Sequence, residues 1–312
     1  MPDRANGQSA APPMVTIGLS VLNGGSQLQY AVQSILNQTW KDWELLILDD
    51  GSTDGSIEAL RFQSDPRIQI IRDGCNRGLA VRLNQAVAMA KGQYFARMDH
   101  DDICHPERLS RQVAYLEGHP NVDLLATACI TINEDDQVTG CLPSAIEHED
   151  ICRRPWLGFY MPHPTWMGKV QWFRHHKYLE PAPYFSEDQE LLLRSHTMSV
   201  FHSLPETLLA YRVRAQPAWK KQWRTRFTLC QTQLRYFMTR GQTTDAMRSL
   251  AALVLRMALD VWHEIVRRLS RGRSAAHRSR MSDGLAAQWK ARIEAVKAAV
   301  QTHPDAQESQ RV

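Results

Sequence analysis

The segment YFARMDHDDICHP, residues 94–106, sets three aspartates, Asp99, Asp101 and Asp102, into four positions at the end of an apolar run. On an extended segment the side chains at i and i+2 point the same way, so Asp99 and Asp101 can meet one hard cation. Mg²⁺ or Mn²⁺ suits oxygen ligands, takes one or two protein carboxylates, and fills its other positions with water and phosphate oxygens; such an ion could neutralise a departing diphosphate. The same acids also read as a solvated loop ahead of a helix whose first turn holds Pro106 and Glu107, where the dipole favours negative charge. A second acidic cluster, DDGSTDGS at 49–56, is placed to hydrogen-bond a ribose or a base if it ends the second strand of a mononucleotide-binding sheet. It reads equally as a turn and helix cap, with Ser52, Thr53 or Asp54 capping and the glycines supplying positive φ. A third cluster, Ser186-Glu187-Asp188-Gln189, fits a capping box, S-x-x-Q.

The elements that must position these groups follow from periodicity. MVTIGLSVLN (14–23), WELLILDDGS (43–52), RIQIIRD (67–73) and QYFARMD (93–99) read as strands. The intervening SQLQYAVQSILNQTW, DGSIEALRFQ and GLAVRLNQAVAMAKG carry apolar residues at helical spacing, the last closed by a glycine. This β-α-β-α-β-α-β order predicts an α/β fold with a mostly parallel sheet, helix-covered, with right-handed crossovers and ligands collecting beyond the carboxyl ends of the strands. Ser20 to Asn23, Asp49 to Ser52, Asp73 to Asn76 and Asp99 to Asp102 would then share one rim. No G-x-G-x-x-G follows the first strand and no G-x-x-x-x-G-K-[ST] occurs, so dinucleotide binding and a P-loop are not supported. A helix over 106–118, a strand near 122–132 and a mixed region to about 213 follow, and from 217 onward long helical patterns take over.

The 312 residues suffice for one large domain with an appendage, and the 43% hydrophobic and 22% charged composition excludes disordered and multi-span membrane classes. The polar first thirteen residues read as a loose tail without a leader or anchor, residues 14–214 as the main domain divided near 105/106, residues 215–302 as a basic helical extension, and 303–312 as a disordered tail. The cysteines at 75, 104, 129, 141, 152 and 230 have no C-x-x-C or zinc-finger spacing, and are expected as reduced thiols of a cytosolic protein. Residues 217–280 carry fourteen Lys/Arg against three acids, a net +11, which leaves −7 for the remainder of a chain whose total is +4. Between Leu250 and Leu269, polar residues recur every three or four positions and leave a wide apolar arc that is interrupted too often for a membrane span. The helix could lie on anionic lipid, helped by Arg267, Arg268, Arg271 and Arg273, or pack its apolar face on the domain or another subunit, forming an oligomer. No RNA or DNA motif accompanies the arginines, so nucleic acid is not an expected partner.

In combination, SVLNGGSQLQYAVQSILNQTWKDWELLILDDGSTDGS, DPRIQIIRDGCNRGLAVRLNQAVAMAKGQYFARMDHDDICHPERLSRQ and SEDQELLLR resemble the family 2 glycosyltransferases, over roughly residues 14–213. The resemblance implies the GT-A fold and an inverting, metal-dependent, non-processive transfer of a sugar from a nucleotide-sugar. Ser20, Asn23 and Asp50 would border the nucleotide, with Asp50 facing the base, and Asn76, Arg77 and Gly78 would line the same pocket. Asp99 and Asp101 would be the D-x-D pair, Asp101 the stronger ligand of Mn²⁺ or Mg²⁺ and Asp99 also near the nucleotide. Asp188 would be the general base, with Glu187 and His163 on the acceptor side. Leu22 stands where the family commonly has Tyr, His100 is bulkier than the usual residue within D-x-D, and the segment 168–185 is atypical, which touches the acceptor most. The Q-x-x-R-W motif of processive relatives is missing. The expected function is transfer from a UDP-sugar to a saccharide or lipid-linked saccharide in surface polysaccharide assembly, cytoplasmic or on the inner membrane face. The alternatives are a sugar-1-phosphate nucleotidyltransferase, which should carry a basic glycine-rich loop where NGGSQLQ has no Lys or Arg, and an inactive scaffold of the same fold.

Overall fold

The computed structural model describes residues 12–213, 219–269 and 281–302. The first half runs β1 (Val15–Val21), α1 (Gln27–Leu36), β2 (Trp43–Asp49), β3 (Ile68–Arg72), α2 (Leu79–Met89), β4 (Tyr94–Asp99). These four strands are parallel in the order β3-β2-β1-β4. β1, β2 and β4 are buried on both faces and are near-continuous apolar runs, as parallel strands between helix layers require, while β3 at the sheet edge is only partly buried.

One expected element is absent. Residues 54–63 form turns, although Ile57, Leu60 and Phe62 are buried as the periodicity requires. Side chains replace the helical amides: Gln63 donates to the carbonyls of Ile57, Glu58 and Leu60, and Gln29 donates to that of Ala59. Asp54 bonds both the amide and hydroxyl of Ser56, and Gly55 takes a positive φ, so the chain turns where a helix would begin.

The second half adds β5 (Ile103–Cys104), α3 (Arg108–Gly118), β6 (Leu124–Ile132), β7 (Val138–Cys141), α4 (His148–Cys152), β8 (Met167–Lys169), α5 (Val170–His176), α6 (Glu187–Ser195) and β9 (Phe201–Arg212). They extend the sheet to β3-β2-β1-β4-β8-β6-β9-β5, with β7 on β6. β8 joins β4 antiparallel, and the Arg97 amide donates to the Trp166 carbonyl at 2.8 Å, which brings the 3-10 turn at His163–Thr165 beside β4. One apolar layer lies between the sheet and α1 and α3, the other between the sheet and α2, α5 and α6.

Three helices follow: α7 (Trp219–Thr239), α8 (Thr243–Leu269) and α9 (Asp283–Thr302). The boundary expected near 214–217, and the tails expected at 303–312 and over most of 1–13, lie outside the described residues. α7 sends Tyr236 and Phe237 into the α6 layer. α9 packs on β5, β6 and β9, burying Trp289, Ile293 and Val296 against Ile103, Ile130 and Ala210, with Lys297 on Asp136 at 2.8 Å. No disulfide joins any of the six cysteines. Among the described residues no helix is long and apolar enough to cross a membrane.

Candidate active site

The loops after β1, β2 and β3 interlock. Asn23, at φ 53°, accepts from the Thr53 amide at 2.8 Å, its own amide donates to the Ser52 hydroxyl at 3.0 Å, and the Gly25 amide donates to Asp54 at 2.9 Å. Asp49 accepts from the Ser52 amide and from Arg72. Gly51 adopts φ +85°, and a Cβ there would stand 3.2 Å from the Asn76 nitrogen, so the β2 loop passes the β3 loop where only glycine fits. Asp50, Arg77 and Gly78 do come together: the buried Asp50 carboxylate accepts from the amides of Arg77 at 2.7 Å and Gly78 at 3.1 Å, and from Arg82 Nε at 2.9 Å. Asn76 is exposed beside them.

Arg82 is a residue that sequence reading passed over. It is fully buried on the inward face of α2 and also bonds Asp73 at 2.6 Å. The Arg82 guanidinium beside Asp73 holds that carboxyl well below the usual range. The signal was available: Arg82 sits between Leu79, Ala80 and Leu83, Ala86 on the apolar arc, where an arginine requires an acid partner.

At the D-x-D segment the structure corrects the spacing argument. β4 ends at Asp99, and His100 and Asp101 form a turn, so the i and i+2 rule does not govern Asp99 and Asp101. It governs Arg97 and Asp99, both within the strand. Arg97, 3% exposed, meets both Asp99 oxygens, Nη1 to Oδ2 at 2.6 Å and Nη2 to Oδ1 at 2.5 Å. Ser20 lies opposite Asp99 in the β1–β4 register. Behind the turn, Arg212 donates its amide to Asp102 at 2.8 Å and Nε to the Asp101 carbonyl at 2.8 Å. Asp102 is wholly buried with Oδ2 unpartnered, and burial, then the charges of Asp99 and Asp101, push its carboxyl well above the usual range. His100 lies by the β1 loop, where a Cβ on Gly24 would be 3.4 Å from its ring.

Among the described residues no group of three His, Cys, Asp or Glu side chains is arranged to hold a metal ion. A hard divalent ion bound mainly through water and phosphate oxygens requires fewer protein ligands. Asp101, on the turn directly after Asp99, is the carboxylate of this segment that could contribute to holding such an ion, and both Asp99 oxygens are on Arg97.

On the opposite side, α6 presents Glu187 and Asp188 in its first turn. The capping box does not form: the Ser186 hydroxyl donates to the Tyr184 carbonyl, and Gln189 instead bridges the Phe159 backbone at 2.8 and 3.2 Å. Burial raises the Asp188 carboxyl, opposed by hydrogen bonds from Gln189 and by the charge of Arg97. Burial, then the Asp188 charge, push Glu187 up to about 7. His163 bonds the Tyr178 hydroxyl at 2.7 Å and stands 4.0 Å from Glu187. Burial, and then Arg97, push its imidazole well below the ordinary value, so it is neutral and makes no ion pair with Glu187. A cleft of about 260 Å³ opens here, lined by Tyr160, His163, Asp188, Gln189 and Tyr211 among others. A larger cavity of about 440 Å³, between residues 179–183, α6 and α7, contains none of these site groups.

An interlocked rim on a parallel sheet, faced by paired carboxylates on the opposite half, defines a GT-A type protein. The model of glycosyl transferase family 2 matches residues 16–201, and the chain belongs to that family. It is similar to EpsE of Bacillus subtilis, 36% identical over 39% of this chain and 45% of that protein. A Haemophilus influenzae glycosyltransferase, uncharacterized, is 28% identical over 64% of this chain and 66% of that one. The chain thus spans less than two thirds of the length of these relatives. The structure of S. aureus TarS 1-349 in complex with UDP aligns with a TM-score of 0.54 at 16% identity, over 70% of this chain and 65% of that one, a likeness of fold.

Proposed function

We propose that the chain is an inverting glycosyltransferase that moves a sugar from a nucleotide-sugar, a UDP-sugar, to a hydroxyl of a saccharide or lipid-linked saccharide during surface polysaccharide assembly. The observation that carries this reading is the convergence of two acidic groups on Arg97, which pairs with Asp99 at the end of β4 and whose charge acts on Glu187 and on Asp188, the latter lining the cleft. Inversion by single displacement needs that arrangement: an acceptor hydroxyl attacks the anomeric carbon while the diphosphate departs from the other face, and a carboxylate on the acceptor side takes the hydroxyl proton. Asp188 is that base, and the adjoining cleft receives the acceptor. Glu187, which takes up a proton near neutrality, keeps one proton of the acidic pair beside it. Ser20, Asn23, Asn76, Arg77 and Gly78 border the nucleotide, and Asp50 orders its pocket through the 77–78 amides. Asp101, with Asp99, would hold Mg²⁺ or Mn²⁺, which when bound stabilises charge on the leaving diphosphate. The choice of UDP draws on the TarS complex.

The test pairs a donor panel with one substitution. UDP-, GDP- and dTDP-sugars are titrated with and without Mn²⁺, and Asp188→Asn is assayed for donor binding and for transfer. Unchanged donor affinity with transfer or slow donor hydrolysis reduced by about 10²–10⁴ supports the base. Lost affinity would instead make Asp188 a structural residue, and failure of every nucleotide to bind would remove the reading.

A further inference from the structure

α8 is amphipathic in the reverse sense. Its polar residues face the protein: Asp260 accepts from Arg226 at 2.7 Å and Gln222 at 3.1 Å on α7, Arg256 donates to the Leu157 carbonyl, and Ser249 is buried. Beside them Ala246 and Ala252 are buried, but most of its larger apolar residues face out. Met247 and Val254 are each 68% exposed, Leu255 61% and Trp262 60%, and Leu250 and Ile265 are exposed with them. At 1.5 Å per residue, Met247 to Ile265 is a strip about 27 Å long. Of the readings left open for this arc, packing on the domain therefore does not hold for its larger side chains: the ion pair and hydrogen bonds of the opposite face hold them outward. A strip of this extent on a water-soluble surface marks an interaction site.

We propose that this face of α8 docks on an anionic phospholipid bilayer, the helix lying in the interface without crossing it. Charge selects this occupant. The sequence leaving the strip, residues 267–280, carries six arginines and no acid, and the +11 of residues 217–280 opposes −7 elsewhere, so an anionic surface attracts this end and repels the body. A second copy seated on the same face would bring two +11 segments together, which like-charge repulsion disfavours. The helix is too interrupted to span. The docking stands without the transfer reading; its consequence rests on that reading. Leu157, held by Arg256, leads directly into Phe159–Pro164 along the cleft at Asp188, so a docked α8 sets that cleft near the headgroups, within reach of a lipid-linked acceptor.

The full chain and its Val254→Asp/Ile265→Asp variant are co-sedimented with phosphatidylcholine vesicles with and without phosphatidylglycerol, at low and high salt. The wild type is expected to bind the phosphatidylglycerol vesicles, more weakly at high salt, and the variant to bind roughly tenfold or more weakly. Both substituted positions are exposed, and circular dichroism and UDP binding report that the variant is folded. Equal binding by the variant, or no preference for the anionic vesicles, overturns the proposal. So does a wild-type dimer in light scattering that the variant dissociates while vesicles fail to sediment either form, since the face is then covered by a second copy. If neither protein binds UDP, circular dichroism still reports folding and the vesicle result stands, so failure of the transfer reading is told apart.

Discussion

Arg97→Met removes the cation between the two acidic groups while keeping an unbranched side chain in its place. Arg97 and Asp99 are 4% and 21% exposed at their side chains and share a two-point contact. Removing one partner of a buried pair costs about 3–5 kcal/mol because the other charge is stranded, and the partial exposure of Asp99 points to the low end, about 3 kcal/mol. That is a large share of the roughly 5–15 kcal/mol that holds a domain folded. The loss should also grow with pH. The charge of Arg97 restrains Glu187 and Asp188, whose carboxyls are already raised. Without it they rise further, so the folded state holds protons that the unfolded chain releases. A carboxyl raised on folding contributes stability below its unfolded value and loses it as pH climbs to the folded one; for Glu187 that window runs from 4.5 to about 7. Urea denaturation of the wild type, Arg97→Met, Asp99→Asn and the double variant, at pH 5 and pH 8, measures both effects. The single Arg97→Met variant should lose about 3 kcal/mol at pH 8 and less at pH 5, and the double should recover most of that loss since neither charge remains. A loss below about 1 kcal/mol, or no recovery in the double, would refute the argument that this pair organises the site.

The remaining predictions concern the two sides of the site. Transfer at saturating substrates should persist as pH drops through about 7, where Glu187 takes up its proton and Asp188 stays ionised, and should fall at lower pH when Asp188 is itself protonated; His163→Gln should leave that limb in place, since His163 is already neutral. A pH–rate profile of both proteins checks this, and a limb that disappears in His163→Gln would assign it to the imidazole. Gly51→Ala should destabilise by about 1–3 kcal/mol and weaken UDP binding, because a side chain at φ +85° is strained and its Cβ presses on the 75–76 backbone; calorimetry of UDP binding and thermal melts measure the two consequences together.

How far the sequence was legible depended on whether a residue's partner lay nearby in the chain. The parallel strands could be read because they are apolar runs closed by polar residues, which placed Ser20 and Asp99 on one rim; the β1–β4 register, known only from the structure, sets them opposite each other. Residues 54–63 could not: their buried Ile57, Leu60 and Phe62 have helical spacing, and Gln29, some thirty residues upstream, helps satisfy the carbonyls that a helix would have used. The capping box at Ser186 failed for the same reason, because Gln189 found its partner at Phe159. α8 gave its amphipathic period and left its direction open, since only the position of Arg226 and Leu157 decides which face turns inward.

Arg97, Arg82 and Arg212 have one logic in common. Each is an arginine in an apolar strand or helix arc, each is buried, and each guanidinium meets an acid: Arg97 meets Asp99, Arg82 meets Asp50 and Asp73, and Arg212 meets Asp136 while its Nε holds the Asp101 carbonyl. A buried arginine is costly unless an acid or several carbonyls answer it, so an arginine within an apolar pattern by itself implies such a partner. Asp50 illustrates what this changes. Its carboxylate is engaged by Arg82 and by two loop amides. Its influence on a bound base therefore runs through the backbone it positions as well as through its own oxygens. Arg82→Met should then weaken donor binding even though Arg82 is fully buried, whereas Arg77→Met, which removes an exposed partner of Asp73 and leaves the amide bond to Asp50 in place, should cost less. Equal losses from the two substitutions in UDP calorimetry would mean that the donor is held by the Arg77 side chain and not by the loop that Arg82 and Asp50 order.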